Sequence, residues 1–347
     1  MAKNDKKKRI INFCFIAFSS LMLIYILVSN NDVMSIYEAM RQIKIEYILI
    51  AVLCLLLFWI LEAYMIYKLL LKFTDKKRNA ATFWLALKTT LIGQYYSNIT
   101  PCASGGQPVQ LYIMKDENVS FSSGTAVLVE KFLLYQIGVT VYSFILALFK
   151  LKSLLMYTNG ASVLVILGLI VNIIMVLSIW LISIKPKAVS CVVGIIAEFL
   201  HKHKIIKDLN KVQGNIESFV GEYEKSIKIM KSNLKLTLKL FALTFVQLTL
   251  FFSITYFIYK SLNLSGNSIF EIICLQAFLY MSVSFVPIPG TIGVSEIGFV
   301  MILGTVFSKN IIGTAILLWR GVSYYFSLIF SGIFVILTSA FKKRKMC

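Results

Sequence analysis

The sequence predicts an all-α polytopic membrane protein with about six full spans, two broken re-entrant hairpins and both termini in the cytoplasm. Three observations carry this. Of the 347 residues, 58% are hydrophobic and 15% charged, against about 45–50% and about 25% in a soluble domain. Several stretches exceed the roughly 18 uncharged residues that mark a bilayer span. The bases, 35 against 16 acids for a formal +19, fall in blocks between these stretches, whereas a nucleic-acid binder lays them over a polar fold. A soluble globular protein is excluded, and no nucleic-acid partner is expected. Lysine outnumbers arginine 30 to 5, a bias of AT-rich bacterial genomes that also keeps bidentate arginine recognition from being widespread.

Residues 10–29 follow Lys6, Lys7, Lys8 and Arg9 and hold about 20 uncharged positions without a small-residue cleavage site, so they read as a retained span and not a signal peptide. Clean spans follow at residues 47–71, 122–149, 161–184, 240–259 and 311–341. The segments 83–114 and 269–307 are long, apolar and interrupted. Basic blocks lie before the first span, at 72–78, through 185–239 and at 342–345. With Lys115 they hold 25 of the 35 bases, and the positive-inside rule puts them all in the cytoplasm.

Parity then constrains the broken segments. The blocks at 72–78 and 185–239 share a side, and 122–149 and 161–184 already supply two crossings. Segment 83–114 must therefore enter and return, turning at the helix breakers Pro101, Gly105, Gly106 and Pro108. Segment 269–307 is either two full spans or a second re-entrant pair broken at Pro287, Pro289, Gly290 and Gly293. We adopt the second, because two breaks opening to opposite faces form the inverted-repeat arrangement of transporters with a midplane site. The expected organisation is one integral membrane domain over 1–347. Its first half is 10–184, a connector covers 185–239, and the second half is 240–341.

In the connector, Ile206, Leu209, Val212, Ile216, Phe219, Tyr223, Ile227 and Met230 recur at helical spacing beside lysines. This is the pattern of an amphipathic helix lying on an anionic membrane surface. His201 and His203 have no ligand-spaced carboxylate or cysteine, so no metal is expected there. Six scattered cysteines without a C-x-x-C pair point to neither a disulfide framework nor zinc. P-loop, H-E-x-x-H, G-x-G-x-x-G and G-x-S-x-G motifs are absent from the sequence. No cofactor is expected, and a catalytic role is open only for a carboxylate pair such as Glu130 and Glu296.

Ionisable side chains at bilayer depth cost about 2.5–3.5 kcal/mol each on insertion scales, so each needs a reason. Lys68 and Lys88 sit near segment ends and can snorkel. Glu130 lies about 12 Å into its span. The adjacent Lys131 points about 100° away, so Glu130 needs another partner or a ligand cation. Arg320 and Glu296 suit either a mutual ion pair or ligand contact, and Glu62 ranks last.

Four motifs occur in order: Asn98-x-x-Pro101-x-x-x-Gly105-Gly106-Gln107-Pro108, then Val127-x-x-Glu130-Lys131, then Pro287-x-Pro289-Gly290-x-x-Gly293-x-x-Glu296, then Arg320-x-x-x-Tyr324-Tyr325. Together they resemble the lysylphosphatidylglycerol synthase transmembrane (flippase) family. The resemblance implies a lipid flippase that moves aminoacylated phosphatidylglycerol or a related phospholipid to the outer leaflet of a bacterial cell membrane, contributing to resistance to cationic antimicrobial peptides. Bifunctional members add a soluble domain that transfers lysine from aminoacyl-tRNA, and this chain is expected to be a stand-alone member without it. Where the family commonly has an acid and an arginine near the Gly-Gly motif, this chain has Gln107 and Gln110; Glu130-Lys131 replaces a Glu-Arg pair.

On this reading the substrate-binding residues are Asn98, Gly105, Gly106, Gln107, Gln110, Glu130, Glu296, Arg320 and Tyr324. Half-helix N-termini near Gly105-Gly106 and Gly290 would meet a phosphate, Arg320 would add a charge-assisted contact, and Glu130 and Glu296 would take ammonium groups or pair with Arg320. The partners are an anionic or aminoacylated phospholipid and the anionic membrane surface, with a homo-oligomer also compatible. The alternative is the membrane component of a phosphatidylglycerol lysyltransferase system, and a transporter of small polar solutes ranks third.

Overall fold

The structure, a computed structural model, describes residues 40–156, 161–184, 233–284 and 286–344, with a few isolated positions elsewhere. The first expected span at 10–29 and most of the connector at 185–239 lie outside the described residues. Every regular element among the described residues is helical.

Helix α1 (Ile45–Phe73) has 29 residues, about 44 Å at 1.5 Å per residue and long enough to cross a bilayer core of about 30 Å. Thr74 closes it, its hydroxyl and backbone N–H both donating to the Leu70 carbonyl. Helix α2 (Ala80–Asn98) starts at Asn79, whose side chain accepts from the Thr82 N–H at 2.9 Å. That bond satisfies one of the four donors a helix start leaves open. A short 3-10 turn at Pro101–Ala103 separates α2 from α3 (Gly106–Asp116). Long helices α4 (Phe121–Met156) and α5 (Ala161–Ile184) follow, then α6 (Leu234–Ser261).

The second broken segment comprises α7 (Ile269–Val283), a 3-10 turn at Pro289–Thr291, and α8 (Val294–Leu303). At 15 and 10 residues the two arms reach about 22 and 15 Å, short of the about 30 Å core. They pack on each other at Gly298, where a Cβ would stand 2.7 Å from Leu279. The segment is thus a broken hairpin and not two full spans. The chain ends in one long rod: α9 (Lys309–Arg320), a π-helical stretch at Gly321–Phe326, and α10 (Ser327–Arg344).

Four described stretches have the length and hydropathy of a span, Ile45–Phe73, Phe121–Phe149, Leu234–Ser261 and Ile312–Ser339, and α5 joins them by length. The protein is an all-α polytopic membrane protein. Its outward faces confirm the solvent it is built for. Ile166, Ile170 and Ile174 on α5 and Ile329, Ile333 and Ile336 on α10 are exposed at helical spacing, so these stripes meet lipid.

The first broken segment also folds back on itself. Lys88 of α2 pairs with Glu117 beyond α3 at 2.9 Å, and the Lys76 ammonium donates to the Glu117 carbonyl. Its entrance and exit therefore share one end of the bundle. The turns of both hairpins pack against each other, and they border a cavity.

Candidate functional site

The first turn depends on Thr100. Its side chain donates to the Tyr96 carbonyl at 2.7 Å and accepts from the Gly105 N–H at 2.8 Å, bridging the end of α2 to the start of α3 across Pro101. Cys102 and Ala103 have φ of 50° and 54°, an uncommon conformation for residues with a Cβ. The Gly-Gly motif has a packing function here. Gly106 is buried, and a Cβ on it would collide with the Ser97 hydroxyl; one on Gly93 would collide with the Gln110 side chain. The hairpin arms close only because these positions are bare.

The second turn is fixed by charge. Glu296 occupies the third position of α8 and reaches back to accept from the Gly293 N–H at 2.6 Å, half of a capping box. Its other oxygen receives the Arg320 Nε at 2.6 Å. The Arg320 Nη2 donates to the Thr291 carbonyl at 3.4 Å and to the Ser295 hydroxyl. One guanidinium from the last span thereby holds the turn, the cap and the start of α8. The guanidinium also lies over the rings of Trp319 and Tyr324, 4.9 and 5.5 Å from their centroids, which favours a cation electrostatically.

Between the turns is a cavity of about 590 Å³, within the range of about 300–1,000 Å³ typical of small-molecule sites. Apolar Phe58, Phe132 and Phe251 share its wall with Asn98, Gln94 and Gln107. Among the described residues three charged side chains reach it: Glu62, Lys131 and Arg320. Glu62 and Lys131 form an ion pair between α1 and α4, and Arg320 is balanced from behind by Glu296. Among the described residues the lining thus holds one acid and two bases, and Glu296 behind Arg320 offsets the second base. Among the described residues no group of three His, Cys, Asp or Glu side chains gathers as a metal site would need.

A model of the family described as the lysylphosphatidylglycerol synthase TM region matches residues 12–331. The chain belongs to this family. It is also similar to a UPF0104 membrane protein of Archaeoglobus fulgidus, with 23% identity over 308 residues that cover 86% of this chain and 89% of that protein. A lipid-related role in a membrane is what this family membership supports.

Of the residues singled out in the sequence of this family member, Asn98, Gln107, Gln110, Arg320 and Tyr324 line the cavity. Gly105 and Gly106 do not: the Gly105 N–H is taken by Thr100 and Gly106 is packed against α2. Glu296 stands behind Arg320. Glu130 is fully buried, and its partner is Lys72, 3.2 Å away near the end of α1. Glu130 and Glu296 are held by different cations, so neither is presented as half of a carboxylate pair. The acid that lines the cavity is Glu62. Amide and phenol side chains from apolar helices also line it, among them Tyr135, Gln136, Asn172, Gln276 and Tyr280. Their signal was polarity inside apolar runs, and a search confined to ionisable groups passes over it.

Proposed function

We propose that this protein is a lipid translocator of a bacterial plasma membrane. It moves aminoacylated phosphatidylglycerol or a related phospholipid between leaflets, lowers the negative charge of the outer surface, and so contributes to resistance to cationic antimicrobial peptides. The observation that carries this reading is the cavity between two broken hairpins, with polar and apolar walls and balanced charge. A phosphate meets Arg320, whose Nη1 makes no hydrogen bond among the described residues while Nε and Nη2 are occupied. An ammonium group meets the Glu62 oxygen that does not receive Lys131. The acyl chains remain in the bilayer beside the exposed apolar helices.

Orientation follows from the same reading. The basic block at 72–78 and Lys115 face the cytoplasm by the positive-inside rule, and the lysine-rich sequence of 185–239 supplies charge suited to an anionic inner surface. The two hairpins enter from opposite faces, which gives the single membrane domain the plan of an inverted repeat.

The test is a leaflet-asymmetry assay. Purified protein in vesicles containing labelled aminoacyl-phosphatidylglycerol or phosphatidylglycerol should speed exchange between leaflets well above protein-free vesicles; equal exchange with and without protein overturns the proposal. The family description names a synthase, which favours one second reading, the membrane component of a phosphatidylglycerol lysyltransferase system. Chromatography of lipids from expressing cells decides it, because only headgroup modification creates a new lipid species.

A further inference from the structure

Among the described residues three carboxylates are buried, Glu62, Glu130 and Glu296, at 7, 0 and 1% exposed. Two of them have a donor on each oxygen. Lys72 Nζ donates to both oxygens of Glu130, at 3.2 and 3.4 Å. Glu296 receives Arg320 on one oxygen, and the Gly293 N–H and the Ser295 hydroxyl on the other. Glu62 differs. Lys131 donates to one of its oxygens, and the second makes no hydrogen bond among the described residues. That second oxygen is not one of the sealed polar atoms that lack a partner, and Glu62 lines the cavity.

A proton can therefore add to the open oxygen of Glu62 while Lys131 keeps its bond to the other. On Glu130 or Glu296 it would compete with a donor already in place.

The surroundings of Glu62 narrow the choice further. Lys131 and Tyr135 on α4, Tyr280 on α7, Cys102 in the first turn, and Arg320 and Tyr324 on the terminal rod share its cavity. Tyr135 and Tyr280, hydrogen-bonded to each other at 3.0 Å, both lie in the field of the Glu62 charge. Helix α6 places neutral Thr244 and Gln247 beside this part of α1, at Met65 and Phe58. Helices α2 and α5 add amides, Asn98 and Asn172 among them. An ammonium, a guanidinium, a phenol and a thiol all hold their protons at neutral pH. A carboxylate is the member of this set that can gain one.

Glu62 balances Lys131, and Glu296 balances Arg320 from behind, so these four groups sum to zero. A phosphodiester adds one negative charge to that set, and an uncompensated charge removed from water is strongly unfavourable. One proton on Glu62 removes the excess. It cancels the carboxylate charge and leaves Lys131 as an uncompensated cation, equal and opposite to the phosphate. A headgroup that carries an ammonium beside its phosphate brings its own compensation and needs no proton.

We propose that Glu62 is a proton-binding site, filled when an anionic headgroup enters the cavity and emptied when it leaves. The proton adds to the open carboxylate oxygen from water and returns to water on release, so no other reactant takes part. One proton accompanies one anionic headgroup, and the two cross without net charge. That the anion belongs to a transported lipid rests on the translocator reading above.

Calorimetry in two buffers of different ionisation heat counts the protons taken up on binding. At pH 7.5 in a nonionic detergent, the protein should take up about one proton per dihexanoyl phosphatidylglycerol bound. Dihexanoyl phosphatidylethanolamine, which has both a phosphate and an ammonium, should bind without proton uptake. Glu62→Gln fixes the uncharged form and should abolish the uptake seen with phosphatidylglycerol. Absence of phosphatidylglycerol binding, binding without proton uptake, equal uptake with both lipids, or uptake that survives in Glu62→Gln overturns the site. If the variant does not fold, the contrast between the two lipids on the wild type decides. Leaflet exchange is scored separately in vesicles. Proton uptake on binding without exchange would remove the translocator reading and leave the proton site standing, and exchange without proton uptake would do the reverse.

Discussion

Lys131 on α4 pairs with Glu62 on α1, while its chain neighbour Glu130 pairs with Lys72 ten residues further along α1. Adjacent residues of one helix thus bind opposite charges at two separate levels of another. Helical geometry demands the split, because neighbours point about 100° apart. Only the Glu62–Lys131 pair lines the cavity.

Under the proposed function, that difference separates transport from stability. Removing one member of a buried pair leaves an uncompensated charge and costs about 3–5 kcal/mol, whereas replacing both with apolar groups of similar volume is often neutral. Lys131→Met and Glu62→Leu should each lower the unfolding midpoint in detergent, and the double variant should regain most of it. Leaflet exchange should stay low in all three. A double variant that moves lipid at the wild-type rate would reduce the pair to a packing role.

For Lys72 and Glu130 the opposite partition is expected. Both singles should lose stability on the same scale. A Lys72→Met, Glu130→Leu double variant that refolds should restore leaflet exchange together with stability, since neither side chain lines the cavity. Exchange lost in a fully stable double variant would contradict this assignment.

Arg320 acts through its fork, with Nε on Glu296 and Nη2 on Ser295 and Thr291. A lysine has one charged point and cannot reproduce that set. Arg320→Lys should therefore destabilise the second hairpin almost as much as Arg320→Ala, read as faster amide hydrogen exchange over residues 289–303. Protection equal to wild type in Arg320→Lys would show that charge alone suffices.

The Lys88–Glu117 pair at the mouth of the first hairpin is a contrast. Glu117 is 47% exposed at its side chain, and exposed pairs contribute about 0–1 kcal/mol. Lys88→Ala should shift thermal stability by less than about 1 kcal/mol. Gly106→Ala, at the other end of the same hairpin, should cost about 1–3 kcal/mol through overpacking, and Ser97→Gly should relieve part of that. A Gly106→Ala chain as stable as wild type would mean the arms have slack.

Much of this architecture was legible in the sequence because the bilayer imposes it. Span length, basic blocks and the prolines at 101, 287 and 289 record where a helix must run and where it must stop. The pairing of Arg320 with Glu296 was within reach for the same reason, since charges inside a membrane seek one another. The ranking of Glu62 below Glu130 was not, because a sequence does not say which turn of α1 faces α4. Gly105 and Gly106 read equally well as exposed N–H groups and as a close approach of backbones, and only Ser97 and Thr100 across the hairpin decide. Gln136, Asn172 and Gln276 each look ordinary in their own helix. Their meaning arises only when three helices bring them together.

Tyr324 donates to the Asn98 carbonyl at 3.3 Å, and the Asn98 side chain donates to Ser327 at 3.0 Å. The same tyrosine ring lies against Gly290, where no Cβ would fit. One phenol on the terminal rod thus touches the tips of both hairpins, like a pin through two links. Neither tip can retract without dragging on that pin. The shared joint makes the two hairpin tips one mechanical unit, in which a shift of either is felt at the other.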